Sequence, residues 1–215
     1  MSSVAIQGNA SGAGVFTIAS PNSASSYTAT LPTATTTLVG TDATQTLTNK
    51  TLGSGLVAGA SLITSGTAVA STSGTSISFT SIPSWVKRIT VMFNGVSTSG
   101  TANILFQLGS GSATTTGYLG ASSTIDASTA SSTNYTTGFG LSTASAANLI
   151  YGSIAFCNLT SNSWTGSGVF ARSNTTNTTT SAGFISLAGV LDRVVITTSN
   201  GTDTFDAGSI NILYE

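Results

Sequence analysis

The chain has 215 residues, of which only 5% are charged, with 5 Lys and Arg, 6 Asp and Glu and no histidine; an average soluble domain carries about 25% charged residues. A formal net charge of −1 provides no basic surface to neutralise phosphates, so nucleic acid is not an expected partner. The lack of histidine removes the commonest general base, the usual triads and most zinc sites, while a hydrophobic fraction of 40% argues against a disordered linker although about a third of the chain is Ser or Thr.

Met1-Ser2-Ser3-Val4 lacks the basic start and apolar core of a signal peptide, and no apolar run approaches the roughly 18 to 20 residues that span a bilayer. The expectation is a chain made in a cytoplasm and kept there until assembly, without membrane insertion. From Met1 to about Gly74 the charges are Asp42 and Lys50, and apolar residues stand singly between Ser, Thr, Ala and Gly. No helical stripe can be drawn there, and Pro21 and Pro32 disfavour helix at and before their own positions. Residues 1–75 therefore read as an extended arm for assembly. Such an arm must find partners for its backbone and for Val15, Phe16, Ile18, Leu31, Leu38, Val39, Leu47, Leu52 and Leu56.

Residues 76–215 read as strand, turn, strand. The predicted strands are Ser76 to Thr80, Val86 to Phe93, Ile104 to Leu108, Thr136 to Leu141, Leu149 to Cys157, Ser163 to Ala171, Ala182 to Leu187, Arg193 to Thr197 and Ser209 to Tyr214. In the second, Ile89, Val91 and Phe93 fall on one face and Arg88 and Thr90 on the other, so one face is core and one is wet. Asn94-Gly95 and Asn200-Gly201 follow strands directly and tolerate the positive φ that tight hairpin turns require. Lys87-Arg88-Ile89-Thr90-Val91 and Asp192-Arg193-Val194-Val195-Ile196 echo each other, as two strands in opposing sheets would, although so short a match also arises by coincidence. The fold class is all-β: an extended N-terminal arm followed by an antiparallel, jelly-roll-like β-sandwich.

The acids are Asp42, Asp126, Asp192, Asp203, Asp206 and Glu215. Asp203 and Asp206 form the close pair, but on a strand they point to opposite faces and in a turn they cap backbone amides. No catalytic residue, metal site or cofactor is assigned. The glycine clusters contain no GxxxxGK[ST] pattern. Cys157, the one cysteine, sits in an apolar run and reads as core filling. Tyr118, Tyr135 and Trp164 lie among Asn, Ser and Thr as candidate glycan contacts; the competing reading puts Trp85 and Trp164 in the core and makes the tyrosines loop anchors.

The segment from Leu31 to Leu52, above all Thr46-Leu47-Thr48-Asn49-Lys50-Thr51-Leu52, resembles a recurring stretch in phage tail-fibre and related virion appendage proteins. The second half, through Ile82-Pro83-Ser84-Trp85-Val86-Lys87-Arg88-Ile89-Thr90-Val91 and the stretch from Asn200 to Ile212, is similar to a domain of phage and prophage structural proteins. The resemblance implies a non-enzymatic virion component made in the bacterial host. In that reading it is a tail fibre or tip whose segment Thr46 to Leu52 serves attachment, whose copies form a trimer beside other tail or capsid proteins, and whose sandwich meets a host surface glycan. The alternative is a capsid or neck decoration protein, a cement or head fibre. An enzyme degrading surface polysaccharide is the third reading.

Overall fold

The computed structural model describes residues 11–12, 24–26 and 63–215, except 144 and 174–176. The chain divides into two units, 1–54 and 55–215. Of the expected arm, residues 63–75 are described and belong to the second unit, where Thr64–Ser65 pairs with Leu213 and Tyr214 and Val69–Ala70 with Ser209 and Ile210; the rest, with its segment 46–52, lies outside the described residues apart from 11–12 and 24–26.

The second unit is built of strands: β1 (Thr64–Ser65), β2 (Val69–Ala70), β3 (Ser76–Phe79), β4 (Arg88–Thr98), β5 (Ile104–Ser110), β6 (Ser112–Ala113) and β7 (Leu119–Ile125). They continue as β8 (Ala130–Tyr135), β9 (Phe139–Leu141), β10 (Ile150–Thr160), β11 (Ser163–Arg172), β12 (Thr178–Ser186), β13 (Arg193–Thr198) and β14 (Phe205–Tyr214). No helix occurs among the described residues. The larger sheet has nine strands in the order β1-β14-β4-β10-β11-β12-β7-β8, with β2 also on β14; the smaller has five, β3-β13-β5-β6, with β9 also on β5.

The pairings nest. β7 pairs with β8, β5 with β9, β4 with β10 and β3 with β13, every pair antiparallel. Each pair encloses the previous one along the chain, and successive pairs alternate between the sheets. A long hairpin rolled so that its rungs fall alternately on two sheets is a jelly roll. The hairpin of β11 and β12 widens the larger sheet and joins it to β7, and β14 adds a strand beside β4.

Alternation of side chains makes the interior. Ile89, Val91 and Phe93 of β4, Ile154 and Phe156 of β10, and Val194 and Ile196 of β13 are all buried. Each fully buried Phe or Ile contributes about 1.5–3 kcal/mol. At the centre Phe106 stacks on Phe170 with centroids 5.8 Å apart, and Phe93 lies 5.3 Å from Phe106, so aromatic rings tie the sheets together. Phe139 packs 5.0 Å from Phe156, and this closeness depends on Gly166: a Cβ there would lie 2.7 Å from the Phe156 ring and 2.9 Å from that of Phe139.

Three local expectations are corrected. Asn94-Gly95 closes no hairpin. β4 runs through it, and Gly95 (φ 65°) sits where the register against β10 shifts, as in a bulge that requires a left-handed residue. Asn200-Gly201 does make a turn, with Gly201 N–H donating to Thr198 O at 3.0 Å, but it carries the chain from one sheet to the other. Cys157 is exposed, because its neighbour Phe156 takes the inward position and the pleat turns the thiol outward. The echoing segments around Arg88 and Arg193 do lie in opposing sheets.

Candidate functional site

The structure places all three aromatic glycan candidates inside. Tyr118, Tyr135 and Trp164 are 1%, 6% and 3% exposed. The Tyr118 hydroxyl accepts a hydrogen bond from Leu108 N–H at 2.8 Å and lies 3.2 Å from Leu108 O. Burial pushes its pKa upward, with the Leu108 backbone hydrogen bond opposing. Tyr135 receives a hydrogen bond from Ser122 Oγ at 3.3 Å and packs its ring against Gly140, where a Cβ would lie 2.3 Å from it. A ring must present a face to solvent to stack on a sugar, so these three residues are withdrawn as glycan contacts.

The exposed tryptophan is Trp85, at 55%, which corrects its assignment to the core. It stands in the β3–β4 loop with its ring centroid 6.0 Å from that of Tyr214. Beside Tyr214 a groove of about 150 Å³ is lined by Ile63, Arg88, Thr90, Leu213 and Glu215. Arg88 Nη1 meets Glu215 Oε1 at 3.2 Å with both side chains exposed, a geometry worth about 0–1 kcal/mol. The backbone closes the same corner: Lys87 and Arg88 N–H both donate to Glu215 O, at 2.7 and 2.9 Å. Val190 and Leu159, 56% and 68% exposed, belong to the loop and strand end at this end of the sandwich. Ile63, next to β1, is here too.

The opposite end is polar and tied down. Asn200 Oδ1 accepts from Thr202 and Asp203 N–H at 3.0 and 3.1 Å, and its amide donates to Asp203 Oδ1 at 2.8 Å. Asp203 Oδ2 accepts Ala102 N–H at 2.9 Å. The Asn200 amide first and the Ala102 N–H second hold the Asp203 carboxyl below the usual carboxylate range. Asp206 Oδ1 instead accepts from Ser97 Oγ at 2.6 Å. Asp203 thus ties the Asn200 turn to Ala102, whereas Asp206 ties β14 to β4. Nearby, Asn148 donates to Thr143 O at 2.7 Å, and Arg172, only 5% exposed, binds Thr179 Oγ1 at 3.0 Å and Ser142 O. Its Nε has no partner among the described residues, and burial pulls its pKa down.

The remaining described acids are similarly occupied. Asp192 pairs with Arg193 Nε at 2.8 Å and accepts Gly111 N–H at 3.0 Å; the Arg193 hydrogen bond is the main reason its pKa is lowered. Asp126 caps its own hairpin through the N–H groups of Ser128 and Thr129, which lower its pKa to about 2 together with the Thr129 hydroxyl. No cluster of three or more His, Cys, Asp or Glu able to hold a metal occurs among the described residues.

Sequence reasoning missed a broader feature, the outer face of the larger sheet. The registers align Asn211, Met92, Ser153, Val169, Thr180, Ser123 and Ser132 in one row across seven strands, and Leu213, Thr90, Ala155, Ser167, Ala182, Ala121 and Asn134 in the next. Neither row contains a charge. A shallow groove of about 550 Å³ runs over Thr90, Ala155, Ser167 and Ala182, with Arg88 also in its wall. The signal was present as Ser, Thr and Ala at alternate strand positions, but the larger Met92, Val169 and Leu213 stand singly on separate strands and did not mark it. No protein-family model matches this chain, and no curated protein or solved structure matches it.

Proposed function

We propose that this chain is a non-enzymatic structural subunit of a bacteriophage virion, a tail-fibre or tip component that assembles with its own copies and other virion proteins. The observation that carries the reading is the pairing of a nearly uncharged jelly-roll unit with a preceding segment, Thr46 to Leu52, that resembles the attachment stretch of phage appendages. Jelly rolls recur in viral capsid and lectin domains; this is an analogy of fold, and function rests on surfaces. In this reading the Trp85 end, with its exposed apolar side chains, faces the particle, and the hydroxyl- and amide-rich loops of the opposite end face the host surface and its glycans. The occupation of each described carboxylate by a turn, a loop, the Ser97 hydroxyl of β4 or an Arg supports a structural rather than a hydrolytic role.

The test is the protein composition of purified phage particles whose genome encodes the chain. The chain is expected in the particles, in a few copies for a fibre or tip; a copy number matching the capsid lattice would move it to decoration. Its absence from the particles would overturn the reading. So would release of reducing sugar from surface polysaccharide that is lost on Asp203→Ala or Asp206→Ala.

A further inference from the structure

We infer that the outer face of the larger sheet is the surface on which a second copy of this chain packs, an inference that rests on the self-assembling role proposed above. An antiparallel sheet with one wet face ordinarily alternates apolar and polar residues, and its wet face is charged enough to stay solvated. This face instead exposes Leu119, Val169, Ile125 and Tyr151 at 72%, 57%, 52% and 40%, all at positions that alternate with inward-facing residues. Arg88 lines the groove beside Thr90, but its charge is already paired with Glu215, and Asp206 lies at the far end against Ser97.

The size of the face and its neutrality identify the occupant. Seven strands about 4.8 Å apart, each offering about seven residues at about 3.3 Å, make a plane of roughly 770 Å². That is close to the roughly 800 Å² which each partner contributes to a stable interface. A neutral face neither repels its own copy nor offers a charge pattern that selects an oppositely charged partner. Small side chains such as Ser167 and Ala182 let a second sheet approach closely, and Val169 stands beside them as a knob for the shallow groove of the other copy.

The experiment is the native mass of the full chain by light scattering, for the wild type, for the double variant Ser167→Lys with Val169→Lys, and for Val190→Lys. Both β11 positions are exposed, so a monomer tolerates them, and circular dichroism checks the fold. The wild type is expected at a multiple of 21.3 kDa. The double variant is expected at a lower multiple, with Val190→Lys unchanged. A wild type at the monomer mass, an unchanged mass in the double variant, or an equal loss in Val190→Lys would overturn the inference. A second readout needs no substitution: Cys157, exposed and paired across the sheet with Arg88 and Thr165, should react more slowly with a thiol reagent as protein concentration rises. A rate independent of concentration would also overturn it. The virion reading is decided by particle composition, so a particle-borne protein that fails here loses this surface alone.

Discussion

Tyr118→Phe isolates one hydroxyl that links the segment before β7 to the middle of the smaller sheet. In the wild type that hydroxyl accepts Leu108 N–H at 2.8 Å and lies 3.2 Å from Leu108 O, with the ring 1% exposed. Leu108 O keeps a second donor, Thr114 N–H at 3.0 Å, so the substitution leaves one orphan, the buried Leu108 N–H. Such a group costs about 1–3 kcal/mol, and the ring itself stays in place, so no cavity larger than an oxygen is opened. The expected loss is about 2 kcal/mol, or a fall in Tm of about 4–8 °C at roughly 2–4 °C per kcal/mol for a unit of this size. Urea and thermal unfolding would measure it, with exposed Tyr151→Phe as the control. The pH dependence adds a sign. The folded pKa of Tyr118 is raised, so its contribution is full below the ordinary phenol value of about 10 and is lost as pH rises beyond it. The gap between wild type and Tyr118→Phe should therefore narrow above pH 10. A loss under about 0.5 kcal/mol, or a gap that widens in base, would refute the geometry.

Asp126 has its folded pKa lowered to about 2 from 3.8, so its contribution is present above pH 4 and disappears as pH falls toward 2; melts of Asp126→Asn should converge on the wild type over that interval, and a constant difference would count against the cap. Gly208 (φ 88°) would place a Cβ 2.2 Å from Gly95 O, whereas Gly201 (φ 68°) has nothing within 4 Å. Gly201→Ala should thus cost about 1–2 kcal/mol from backbone conformation alone and Gly208→Ala clearly more, as read from urea midpoints; equal losses would mean β14 yields without strain. Trp164→Ala should cost about 3–5 kcal/mol and Trp85→Ala about 1 kcal/mol or less. Acrylamide should quench the Trp85 emission of Trp164→Phe several-fold more strongly than the Trp164 emission of Trp85→Phe, and similar quenching would contradict their placement.

The legible part of the fold was the part written in large apolar residues. Ile89, Val91 and Phe93 announced β4 by their period of two, and the runs around Phe106, Phe156, Phe170 and Ile196 marked β5, β10, β11 and β13. β7 and β8 stayed hidden, because the inward positions of β7 are Gly120, Ser122 and Thr124, paired in β8 with Tyr135, Thr133 and Ser131, and the pattern of Ser and Thr reads as loop. These strands are held by register and by side-chain hydrogen bonds such as Thr124 to Thr179 at 3.1 Å rather than by apolar burial. Trp85 and Trp164 show the limit for single residues. Both sit in similar Ser-rich contexts, and only the pairing of Trp164 with Ile185 across β12 turns one inward, while a loop leaves the other at the surface.

The same chemistry explains why the candidate surface was hard to see and why it suits assembly. A sheet face made mostly of Ser, Thr and Ala, with its larger residues scattered over separate strands, has no feature that period or charge analysis detects, because each residue is unremarked in isolation. Its character arises only when the register sets seven such strands side by side. A face like this gains little from any single contact, yet it loses little side-chain entropy on packing, since Ser and Ala have few rotamers to freeze and long charged side chains about 1.5–2 kcal/mol each. Low charge also weakens the repulsion that keeps like molecules apart. Under the proposed role, 5% charged residues suit the chain to a particle, where close-packed neighbours replace the water that a charged surface would have held.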